Sequence, residues 1–177
     1  MDKSNDPETL STLSRATALS LDCVQSRVAK ENPDWTTTRV DTAVAEYRKW
    51  LVLIALKQFD KLGMCSTDVD EVWHAHILFT RKYAADCEAL CGCFIHHQPN
   101  SEEEKRDDTN AKNTLSALQQ IFGGVHPVWE CSKTCLKPLP AWLSSAETGR
   151  LDSCSFRCYI TSDCDPIANC EHHPPNK

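Results

Sequence analysis

Between Asp70 and His97 the chain reads DEVWHAHILFTRKYAADCEALCGCFIHH, and this window holds four of the seven histidines and three of the eleven cysteines. Neutral imidazole nitrogen and thiolate sulfur replace water on zinc, iron and copper, so the clustering points to metal chemistry. The candidate ligands are His74, His76, His96 and His97. Asp70 joins them, either as a carboxylate ligand or as the group that orients a histidine. The ion expected is zinc or iron. Zinc would suit structure or hydrolysis. A set of Asp70, His74 and one of His96 and His97 would suit non-haem iron, with a position left open for water or a small substrate.

Helical spacing separates these residues. Successive residues of an α-helix turn by roughly 100°, so Asp70 and His74 share a face while His74 and His76 stand roughly 200° apart. The two histidines cannot grip one ion from a regular helix, so either they have different jobs or the helix is distorted there. His96 and His97 follow the glycine stop at Gly92 closely enough for the chain to fold back onto the helix. The plain alternative is that the histidines only bond neighbouring helices together. Trp73, Ile77 and Tyr83 read as core residues at helical spacing, and Cys87 as a small buried hydrophobe rather than a nucleophile.

Four helices are expected to position this segment. The first opens with Asp6 as cap and Pro7 at the first helical position. It carries Leu10, Leu13, Thr17, Leu21, Val24 and Val28 on one face as far as Asn32-Pro33. A second runs from about Thr37 to Leu62, closed by Gly63, with an inner stripe of Val40, Val44, Tyr47, Leu51, Ile54 and Ala55. Trp50, Leu53 and Leu56 widen that stripe and make it the central helix. A third starts near Ser66 or Thr67, where Thr67 and Asp70 fit a capping box, and runs to Gly92. Residues 98–110 are a charged linker or the exposed start of a fourth helix, which Asn113 to Phe122 continue and Gly123-Gly124 end.

The residues Trp73-His74-Ala75-His76, Tyr83, Asp86-Cys87, Gly92 and Ile95-His96-His97 with Pro99 resemble the signature of the glycine-rich domain-containing protein-like family of plants and bacteria. The resemblance reaches upstream to Glu46-Tyr47-Arg48-Lys49-Trp50-Leu51. It reaches downstream to Asn113-Thr114-Leu115, Phe122-Gly123 and Trp129. It implies membership of a family without a settled biochemistry, and it raises the weight of metal ligation by the histidines. The glycine-rich region that names the family is missing, and the sequence has five glycines. Cys91 and Cys93 stand where other residue types are more usual.

From His126 onward the pattern changes. Six of the nine prolines and six of the eleven cysteines lie there with little periodicity, apart from a short helical turn expected at Leu143 to Thr148. Cys131-x3-Cys135 and Cys154-x3-Cys158 have the spacing of a four-thiolate zinc element; disulfide pairing is the competing reading. The fold class that follows is all-α: a small bundle of about four helices over residues 1–125, then an irregular cysteine-rich tail over 126–177.

Composition excludes several functions. A net charge of −6 argues against nucleic acid and anionic membranes as partners. No apolar run approaches the roughly 18 residues of a membrane span. The opening MDKSNDPETL carries no apolar signal region, which makes the cytoplasm the expected compartment and disfavours a disulfide framework. There is no nucleophile elbow, phosphate loop or dinucleotide fingerprint. Two functions remain. One is a metal-binding helical protein, enzymatic or not, acting on a small molecule. The other is a non-catalytic module with a disulfide- or zinc-stapled tail and a protein or peptide partner.

Overall fold

A computed structural model describes residues 6–59, 61–99, 109–129 and 158–162. The described residues form six α-helices and a small antiparallel sheet, so the class is all-α: α1 (Pro7–Ala18), α2 (Asp22–Glu31), α3 (Thr37–Leu56), α4 (Thr67–Leu78), α5 (Thr80–Cys91) and α6 (Thr109–Phe122). The strands are β1 (Gly63–Met64), β2 (Ile95–Pro99) and β3 (Cys158–Ser162).

Two expected helices are each broken in two. Asp6 does cap α1, accepting from the Thr9 N–H, but Leu19 is extended and ends the helix. The break rotates the buried face. In α1 it is Thr9, Thr12 and Ala16 that are buried, while Leu10 is half exposed; of the expected face Leu21, Val24 and Val28 are buried and Leu13 packs partly buried against the core. The second break falls at Phe79, whose ψ of 58° leaves the helical region between α4 and α5. The central helix α3 starts at its cap Thr36 and stops at Leu56, short of Leu62, because Lys57 turns into the left-handed region. Its Tyr47, Trp50 and Leu53 are fully buried, and Trp50 packs on Trp73 of α4 at 4.6 Å between ring centroids. Ser66, not Thr67, caps α4 by accepting from the Val69 N–H at 3.3 Å.

The sheet has the order β1-β3-β2, with β3 antiparallel to both neighbours. Residues 158–162, read from the sequence as irregular, are therefore its central strand. Thr114 of α6 seats β1: its hydroxyl accepts from the Gly63 N–H at 3.0 Å and lies 2.8 Å from the Gly63 carbonyl oxygen. Past α6, a short 3-10 turn (Pro127–Trp129) buries Trp129, whose indole N–H donates to Glu46 of α3 at 2.8 Å. The expected turn at Leu143 to Thr148 lies outside the described residues.

Candidate metal centre

Asp70 and His74 lie one turn apart on α4, and the chain after Gly92 folds back so that β2 passes beside them. Alternation along β2 decides which histidine arrives. Ile95 is fully buried, His96 is exposed and His97 turns inward against α4. The His97 ring packs on Trp73 and on His74, with centroid separations of 4.6 and 4.5 Å.

Asp70, His74 and His97 each offer a ligand atom within 4.8 Å of those of the other two. Ligands about 2.1 Å from a common ion stand roughly 3.0 to 3.4 Å apart at octahedral or tetrahedral angles, so a modest closure would complete the set. His74 Nδ1 lies 3.4 Å from Asp70 Oδ1, so the imidazole and the carboxylate are already side by side.

The protonation pattern suits ligation. A carbonyl oxygen only accepts, so the 2.8 Å contact between His74 Nδ1 and the Asp70 main-chain oxygen places the hydrogen on Nδ1. The lone pair of the neutral ring is then on Nε2. Ligating histidines are commonly oriented in this way, by donating the other ring N–H to a carbonyl. His97 Nε2 is buried and has no hydrogen-bond partner among the described residues, an uncommon state for a polar atom. Burial, reinforced by the neighbouring His74, holds the His97 pKa below the ordinary value and keeps its imidazole neutral. The Asp70 side chain is 7% exposed and that of His74 45%, so the group is closed on the protein side and open to solvent on the other.

His76 does something else. It points into the core, 1% exposed, as its spacing from His74 requires. Its Nε2 lies 3.1 Å from Asp86, which also accepts from Lys82 at 2.7 Å, and its Nδ1 lies 3.0 Å from the Tyr47 hydroxyl. A carboxylate only accepts, so Nε2 carries the hydrogen and Nδ1 accepts from Tyr47. Burial is the main cause of the fall in the His76 pKa to about 4, against the opposing pull of Asp86. The residue is a neutral cross-link between α3, α4 and α5. His96 packs instead on Phe94, at 4.8 Å between ring centroids.

Among the described residues no cysteine joins this group. Cys87 is buried, and burial raises its pKa, as it does that of Cys91, pushed up to about 12; neither is an activated thiolate. Cys93 is disulfide-bonded, which agrees with the competing disulfide reading rather than with the thiols expected of a reducing compartment. Cys131, Cys135 and Cys154 lie outside the described residues, and for Cys158 only the backbone in β3 is described. No helix among the described residues is long and apolar enough to cross a membrane.

Sequence reasoning missed the contacts of two tyrosines, Tyr47 on His76 and Tyr83 on Ile95. Their helical spacing marks them as core, and nothing local marks the partner of a hydroxyl.

Comparison with known proteins agrees with the resemblance in the motif. The chain is 29% identical over 87 residues to glycine-rich domain-containing protein 1 of Arabidopsis thaliana. That match covers 46% of this chain and 11% of the relative, so the chain spans only a small part of the curated protein it matches. No solved structure matches. A family model described as UCP032817-like matches residues 16–122, which include every helix from α2 to α6 and all three members of the Asp/His/His group. The chain belongs to the UCP032817-like family.

Proposed function

We propose that Asp70, His74 and His97 hold one divalent metal ion, zinc or non-haem iron, and that the protein is a metal-binding helical protein whose ion keeps at least one position open. The convergence of three ligand atoms within 4.8 Å carries this reading. The fixed tautomer of His74 and the buried, unbonded Nε2 of His97 support it. Two imidazoles and one carboxylate are the donor set of the facial triad of non-haem iron, and equally of three-ligand zinc sites that bind a water. The solvent side, where His74 is exposed, is where water or a small-molecule substrate would enter the coordination sphere.

The test is metal content by elemental mass spectrometry on untagged protein, with Zn(II) and anaerobic Fe(II) titrations of the apoprotein. One equivalent in the wild type, lost in folded H74A/H97A and kept in H96A, is the expected result. No metal in the wild type, or undiminished metal in H74A/H97A, overturns the reading. A non-catalytic, disulfide-stapled module is the second reading, favoured by the disulfide at Cys93 and the strand pairing of β3. It predicts a folded, metal-free wild type that loses its fold on reduction.

A further inference from the structure

Tyr83 is 1% exposed and its ring fills the core, but its hydroxyl joins three elements. It accepts from the indole Nε1–H of Trp73 on α4 at 2.9 Å and donates to the main-chain oxygen of Ile95 on β2 at 2.7 Å. The Cys87 thiol lies against the same Ile95 backbone. All three residues of the chain Trp73–Tyr83–Ile95 are buried, so water does not compete for these bonds.

Both ends of this chain abut the Asp/His/His group. Trp73 is next to His74 in sequence, and its ring packs on His97. Ile95 is two residues before His97, on the same face of the strand and roughly 6.6 Å away along it. Pairing with β3 fixes β2 to its neighbour in the sheet, and Cys87 holds the Ile95 backbone to α5, but neither reaches the helix carrying the other two ligands. The Tyr83 hydroxyl ties it to that helix. Metal–ligand distances tolerate only about 0.2 Å, so β2 must be held where the His97 ring can close on the other two ligands.

We infer that Tyr83 is a positioning residue of the metal centre, its hydroxyl holding β2 against α4 so that His97 meets Asp70 and His74. This inference rests on the metal-site reading above. A phenylalanine at position 83 would fill the same space. It would leave the Trp73 N–H and the Ile95 carbonyl without their bonds, which β2 can relieve only by moving.

The experiment compares wild type, Y83F, H97A, Y83F/H97A and Y47F by competitive Zn(II) titration and by the visible spectrum of the Co(II) form at saturation. Y47F removes an equally buried hydroxyl on the His76 side of the core and controls for loss of stability alone. Y83F should weaken Zn(II) binding by roughly 10- to 100-fold, the range seen for groups that orient a ligand, and alter the Co(II) spectrum. Y83F/H97A should bind no more weakly than H97A, because the hydroxyl acts through His97, and Y47F should match the wild type. W73F keeps a ring against His97 while removing the donor to Tyr83; it is read in the same way and serves if Y83F does not fold. Wild-type affinity and spectrum in Y83F overturn the inference alone, as do additive losses in the double variant or an equal loss in Y47F. Failure of the wild type to bind metal overturns the metal reading and this inference with it.

Discussion

The Nδ1 atom of His74 lies 2.8 Å from the main-chain oxygen of Asp70, one helical turn before it. One residue thus supplies a carboxylate on the site and the acceptor that fixes the tautomer of the neighbouring imidazole. The arrangement uses only the pitch of α4, so two members of the group are set before β2 contributes the third.

Metal should therefore stabilise the fold. An ion that binds only the native state, at about 100 times its Kd, adds about 2.7 kcal/mol to the unfolding free energy. Zn(II) should raise the Tm of the wild type and of H96A, and a chelator should reverse the rise. H74A/H97A should show no shift. Differential scanning calorimetry with and without metal checks this.

The apoprotein should lose stability in mild acid through His76. Its folded pKa of about 4 lies below the ordinary 6.5, because burial outweighs Asp86, with Lys82 and Arg48 acting in the same direction as burial. As pH falls the unfolded chain takes up the proton first. The contribution is fully present above about pH 7 and is lost as pH falls from about 6.5 to about 4. Between pH 7.5 and pH 5 the loss should be about 2 kcal/mol by urea denaturation. H76Q keeps both bonding roles without titrating, and its stability should depend less steeply on pH across that window.

Glu46 should be worth more to stability as an acceptor than as a charge. Its carboxylate accepts from the buried Trp129 N–H at 2.8 Å and from half-exposed Lys49 at 2.6 Å. E46Q keeps an acceptor for Trp129 and should cost under about 1 kcal/mol. E46L orphans the indole N–H and should cost roughly 1 to 3 kcal/mol more. Guanidinium unfolding of the two variants separates the roles.

Gly63 and Gly92 should respond differently to alanine. A Cβ at Gly63 would stand 2.8 Å from Asn110 Cβ and 3.2 Å from its carbonyl carbon, so α6 must move. G63A should cost roughly 1 to 3 kcal/mol. Gly92 has a φ of +68° in open space, and G92A should cost only about 1 kcal/mol of backbone strain. Thermal unfolding of both variants gives the order.

Much of this was legible in the chain, because it depends on short-range periodicity. The Asp6 cap, the central position of α3, the shared face of Asp70 and His74, and the opposition of His74 and His76 all follow from helical pitch. The spacing after Gly92 foreshadows the return of a histidine to the helix, but not the choice of His97 over His96, because the sequence reads as a loop there and strand alternation decides it. The breaks at Leu19 and Phe79 carry no glycine or proline, the usual signals of an interruption. The bond from Tyr47 to His76 spans 29 residues and exists only once α3 and α4 have docked.

The strand order has a consequence for how the chain is made. His97 pairs with Ile160, so the strand that carries it meets its sheet partner only after roughly 60 further residues have been synthesised, about 3 to 12 seconds at cellular elongation rates. Over that interval α1 to α5 are complete while the sheet is not. The nascent His97 strand then has the Tyr83 hydroxyl to dock against before it has a neighbouring strand.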